Sequence, residues 1–310
     1  MMPIQRCTLP GGGSGYKWGK QGKCYASRAD AMKQARAILA HDQKTTLVSP
    51  TGKPIPLRGV RANARAEAIF RKKLLRLVDD MNQSLMYWLS AAYNEFRSEM
   101  ALDASPLAAL QKKMDELAKR WLKNFRIGAK KLAEWHTKST LNYTDADMKA
   151  MLKDAGFTVQ MQITPAMQTA YDAVIAEQVG LITNMSTQQL AQIETLVMQS
   201  VQAGRDLATL TDALENQFGI TRRRAKLIAR DQNNKATQTL TRTRQQELGL
   251  RQAIWMHSHA GKVPRPSHVK ADGKTYDLDK GMFLDGKWTF PGMEINCRCF
   301  STPIIPGFID

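Results

Sequence analysis

The sequence predicts an α+β protein, predominantly α: a long-helix body followed by a small mixed C-terminal domain with short antiparallel strands. Three observations predict it. Apolar residues recur at steps of three and four between Phe70 and Phe96, the spacing of one helix face. Proline and glycine stand where helices would begin and end, as at Ser105-Pro106, Thr164-Pro165 and Gly249. Beyond Gly249 the period shortens: LRQAIWMH alternates, and Asp272-Gly273 and Asp285-Gly286 each sit between strand-like flanks as type I′ turn signals.

In chain order, residues 1–41 read as a small ββα-like unit: a strand IQRC, a turn GGGSG, a second strand near GKCYA, and a helix from Arg28 to Ala40. Cys7 and Cys24 on its strands read as small buried hydrophobes. Residues 42–60, which include SPTGKPIPLRG, read as a linker. A long-helix region covers 61–180. Its first helix runs through Leu74, Met81, Leu85 and Trp88, a second from Pro106 through Trp121, and a third from Pro165 through Leu181. A C-terminal domain spans 181–310, with helices over 181–249 and a small sheet over 250–303. Those helices are expected at Ser186–Gln202, Asp206–Phe218 and Thr221–Leu248, separated by Gly204 and Gly219.

Forty-five Lys and Arg against 28 Asp and Glu give a net charge of +17, which favours phosphate-rich or acidic partners in a salt-sensitive way. Two basic segments are candidate contacts to double-stranded DNA: Arg61, Arg65, Lys72 and Arg76 at the start of the first long helix, and Arg222, Arg223 and Arg224 further on. The alternative for both is a solvated helix face. No run of 18 apolar residues exists, so no membrane partner is expected, and the N-terminus lacks the apolar core of a signal peptide. A cytosolic protein follows as the expectation. In that reducing compartment four cysteines are expected as thiols or ligands, with disulfides the least favoured reading.

His257, His259, His268, Cys297 and Cys299 include enough nitrogen and sulfur for a structural zinc. On an extended strand, however, Cys297 and Cys299 point to opposite faces, and one tetrahedron would require a bent CRC segment. The preferred reading is therefore a strand end with one buried and one half-buried thiol and no cofactor, with zinc as the alternative. Arg265, His268 and Asp272 form a compact polar group in sequence, in which a histidine acid or base and a phosphate-holding arginine would suit a hydrolase. No nucleophile is paired with a base at readable spacing and no phosphate-cradling glycine loop is present, so no enzyme is expected. LATLTDALENQFGITRRRAKLIAR mimics a helix-turn-helix with FGIT as its turn, ahead of a helix too long for a typical recognition helix.

In order, AKLIARDQNNKATQTLTRTRQQELGL, IWMHSHAGKVPRPSHVKADGK, a short hairpin and PGMEINCRCFSTP resemble the C-terminal domain of the phage Mu protein F-like family, the minor head or head-morphogenesis proteins of tailed phages. The resemblance covers roughly Ile182 to Pro303. Arg230 matches the start of the family's helical motif, where Asp231 and Gln232 stand in place of the more usual Thr and Glu. Arg265, Pro266 and His268 match its Arg-Pro-x-His stretch, Asp272 and Gly273 the following turn, and Cys297, Arg298 and Cys299 its final motif. The resemblance implies a structural capsid component in few copies, made in the host cytoplasm and retained inside the head at the portal vertex. Its implied partners are the portal, the major capsid or scaffold proteins, and DNA bound non-specifically during packaging or ejection. Exposed apolar stripes would also lead the isolated helical region to self-associate. A sequence-specific DNA-binding regulator and a toxin-like hydrolase are the alternatives.

Overall fold

The computed structural model describes residues 4–18, 23–32, 47, 49, 53–98, 106–203, 207–259 and 263–307. The N-terminal strands are β1 (Ile4–Thr8), β2 (Ser14–Trp18) and β3 (Ile55–Pro56). Four long helices follow, α1 (Ala64–Ser98), α2 (Pro106–Asp154), α3 (Pro165–Gln202) and α4 (Leu207–Glu247). The C-terminal region holds β4 (Gln252–Met256), α5 (Pro266–Ala271), β5 (Thr275–Asp277), β6 (Met282–Leu284), β7 (Lys287–Thr289) and β8 (Phe300–Ile305). The α+β, mostly α expectation holds.

By internal packing the chain divides into two compact units. One comprises Ala62–Thr140 and Tyr171–Ala236, and the other Met1–Arg61, Leu141–Ala170 and Thr237–Asp310. The first is all helical. Its core takes Phe70, Leu74 and Met81 from α1, Trp121 and Phe125 from α2, Ile182 and Ile193 from α3, and Leu214 and Ile228 from α4. Asn63 caps α1, its Oδ1 accepting from the N–H of Arg65 at 2.9 Å and of Ala66 at 3.2 Å. Ser105, expected as the cap of α2, lies outside the described residues.

Gly219 does not end a helix, contrary to expectation: α4 runs through it unbroken. Leu210, Leu214, Phe218, Thr221, Ala225 and Ile228 are all buried at helical spacing on either side. An interior glycine weakens a helix by about 1 kcal/mol, less than such a continuous stripe supplies by burial. The expected helix-turn-helix therefore has no turn. For the same reason the helices expected at 165–181 and 186–202 are the single helix α3.

The second unit is built on a four-stranded antiparallel sheet in the order β3-β8-β4-β5. Ala253 and Trp255 of β4 and Ile305 of β8 are fully buried in its core. The stretch read as a linker is part of this sheet from Ile55, since β3 pairs with β8 and the Leu57 N–H donates to the Pro303 carbonyl at 2.9 Å. Thr164 caps α3, accepting from Met167 N–H at 3.1 Å ahead of Pro165. Helix α4 ends as expected at Gly249, at φ 73°, where the Leu250 N–H reaches back to the Gln245 carbonyl at 3.0 Å. Asp285 and Gly286 both have positive φ, 51° and 80°, and form the type I′ turn of the β6–β7 hairpin. Asp272-Gly273 is a different turn. Pro266 starts helix α5 where a strand was expected, and Asp272 (φ −55°, ψ 132°) and Gly273 (φ 75°) make a type II turn after it, closed by Lys274 N–H to the Ala271 carbonyl at 3.0 Å.

The N-terminal hairpin pairs β1 with β2, so the second strand is SGYKW rather than one near GKCYA, of which Tyr25 alone makes an isolated bridge, to Tyr16. Cys7 and Cys24 are joined by a disulfide, contrary to the thiol reading. The Tyr25 bridge brings Cys24 alongside β2, and Gly15, opposite Cys7, has no side chain to occupy the space: a Cβ there would lie 2.8 Å from Cys24 Sγ. The expected helix is described at 28–32, and its remainder lies outside the described residues.

Candidate functional site

The residues matching the final motif lie at the entry to β8. The CRC segment is not strand: Asn296 takes φ 61°, and β8 begins only at Phe300. The alternation that would separate the two cysteines does not apply, and both Cys297 (5% exposed) and Cys299 (2%) are buried. This corrects the reading of one buried and one half-buried thiol at a strand end. Arg298, between them, is exposed.

Opposite lies α5. Its first turn starts at Pro266, and a helix of six residues is enough to bury His268. His268 Nδ1 stands 3.4 Å from Cys297 Sγ and 3.6 Å from Cys299 Sγ. The edge of the buried Trp255 ring packs against His268, ring centroids 5.2 Å apart. Arg265 donates from Nη2 to the Ile295 carbonyl at 2.9 Å, tying the start of α5 to the residue just before the bend. The Cys297 thiol is pulled down from its usual range, first by a hydrogen bond from the Cys299 thiol and then by His268, and Cys299, keeping the shared proton, is pushed up.

Of the five expected metal ligands, three come together: the ligand atoms of His268, Cys297 and Cys299 all lie within 4.8 Å of one another. His257 lines the same cavity, of about 220 Å³, with Ser258 and Arg265. His259 is engaged elsewhere, its Nε2 at 3.0 Å from Asp272 Oδ2. Asp272 also accepts from the His257 N–H at 2.8 Å, and that bond is the first cause of a carboxyl pKa below the usual value. The expected Arg265, His268 and Asp272 group is thus split three ways: the arginine goes to a carbonyl, the histidine to the sulfurs and the aspartate to the exit of β4. Arg230 belongs to the part of α4 in the all-helical unit.

The basic candidates differ among themselves. Arg222 pairs with Asp79, and Arg224 bonds Asn184 at 2.9 Å and also Gln188, so both serve helix packing. Arg61 lies over the Phe300 ring at 4.7 Å. Arg65, Lys72, Arg76 and Arg223 are exposed. Sequence inspection missed a longer feature. Lys112, Lys119, Lys123, Arg126 and Lys130 follow at steps of seven, four, three and four along α2, all are exposed, and none is in an ion pair among the described residues. At 100° per residue they share one stripe about 27 Å long. Glu116, beside it, is held by Lys113 at 3.6 Å.

Residues 191–302 match the model of the family described as Phage Mu protein F like protein, in agreement with the motif resemblance. A Haemophilus influenzae protein, described as an uncharacterized protein, is 24% identical over 250 residues, which cover 79% of this chain and 55% of that protein. The chain thus spans little more than half the length of this relative. No solved structure matches.

Proposed function

We propose that this protein is a head-morphogenesis protein of a tailed phage, a minor head component that associates with the portal vertex inside the procapsid and lies against DNA. The match over residues 191–302 carries the head assignment. The exposed stripe on α2, in a chain of net charge +17, supports the DNA contact, because regularly spaced cations release phosphate counterions without reading bases. The role is structural. The dispersal of Arg265, His268 and Asp272 onto separate partners speaks against the hydrolase reading, and the unbroken α4 removes the motif behind the regulator reading.

Binding to two duplexes of unrelated sequence across a salt series tests the DNA contact. The five stripe cations predict equal affinity for both and a log–log salt slope of about −4.5, at about 0.9 per neutralised phosphate. Charge reversal at Lys119, Lys123 and Arg126 should remove most of that dependence. Preference for one sequence would instead favour the regulator, and a slope unchanged by the reversal would exclude α2 as the contact face.

A further inference from the structure

We propose that His268, Cys297 and Cys299 bind a zinc ion, with water completing the tetrahedron from the adjoining cavity. Zinc bonds of about 2.0–2.1 Å to nitrogen and about 2.3 Å to sulfur, at a tetrahedral angle, place nitrogen and sulfur about 3.6 Å apart. The two Nδ1–Sγ separations are 3.4 and 3.6 Å.

Two thiolates and an imidazole form a soft donor set suited to zinc, and two thiolate charges neutralise a divalent ion in a buried place. Binding would release the proton that the two sulfurs share. The ligands are also held in place before any ion arrives. His268 is fixed on α5 against Trp255, the cysteines are brought together by the bend at Asn296, and Arg265 ties the two segments through the Ile295 carbonyl. The fourth position faces the cavity lined by His257, Ser258 and Arg265. The ion would act as a clamp between α5 and the segment entering β8, whatever the protein's biological role.

The full-length protein, purified under reducing conditions without chelator, should contain one zinc per chain by elemental analysis. Exchange for cobalt should give the intense visible bands of tetrahedral Co²⁺ together with thiolate-to-cobalt charge transfer. Cys297→Ser and Cys299→Ser should each remove at least about half of that charge transfer, one of the two thiolates being lost, while the Cys7→Ser/Cys24→Ser double variant retains it. If either single variant fails to fold, the wild-type cobalt spectrum and the double variant still decide. Folded wild-type protein that takes up less than about one-tenth of an equivalent of zinc and shows no thiolate–cobalt absorption would overturn the site, as would undiminished charge transfer in both single variants.

Discussion

Replacing Arg244 with Met should be among the most damaging single changes in this protein. Arg244 is 1% exposed, in the last turn of α4. Its guanidinium bonds both oxygens of Asp145 at 2.8 Å, the Glu247 carboxylate at 2.9 Å and the Gln162 carbonyl at 2.5 Å. Burial works against its charge, but the bonds to Asp145 and Glu247 outweigh that and raise its pKa. Methionine would fill much of the volume and leave two carboxylates and a carbonyl without their donor. Breaking a buried ion pair on one side costs about 3–5 kcal/mol. Asp145 and Glu247 remain 18% and 20% exposed, so water recovers part of this. A net loss of about 2–4 kcal/mol remains, which lowers the melting temperature by roughly 3–6 °C in a chain of this size. Circular dichroism melts of wild type, Arg244→Met, Asp145→Asn and the double variant measure it. The double variant should lose at least about 1 kcal/mol less than the two single losses together. Strict additivity, or a shift of about 1 °C or less for Arg244→Met, would refute the reasoning.

Three further outcomes follow from other parts of the structure. His136 is fully buried between Gln178 Oε1 and Asn233 Oδ1, each 3.1 Å away, and burial lowers its pKa despite both bonds. A histidine held neutral contributes stability that is complete above the ordinary value of 6.5 and lost as pH falls from there toward the lowered folded value. Wild type should therefore lose more stability than His136→Gln on going from neutral to mildly acidic pH; parallel pH curves would contradict this. Gly59→Ala would put a Cβ 2.4 Å from the Phe300 ring and 2.8 Å from the Ser301 carbonyl, and should cost about 1–3 kcal/mol in thermal melts. Peptide mapping without reductant should link Cys7 to Cys24, and reducing that bond, which spans 17 residues, should destabilise the N-terminal hairpin by about 3 kcal/mol.

The long helices were legible because an apolar stripe at steps of three and four survives interruption. The same fact explains the misplaced ends: Gly219 is a stop signal locally, yet Phe218 and Ala225 on either side are buried in one core. Asp285-Gly286 was legible as a hairpin turn because strand-like residues flank it on both sides, whereas Pro266 makes a helix of the residues before Asp272-Gly273. At Cys297 and Cys299 the motif was visible but its geometry was not. Alternation presumes a strand, and a left-handed Asn296 followed by an irregular segment turns both sulfurs toward His268. Expecting a reducing compartment hid the Cys7–Cys24 bridge, which depends on Gly15 leaving room for sulfur. The α2 stripe was legible in principle, but its lysines are dispersed at helical spacing rather than gathered in a run.

The central claim is the proposed place in a phage head, and co-expression with the portal and major capsid proteins encoded beside it tests it most directly. Purified procapsids should contain a few to some tens of copies of this chain by quantitative mass spectrometry, and should lose them when the portal is omitted. Particles that assemble without it, leaving the chain free in the lysate, would contradict the account.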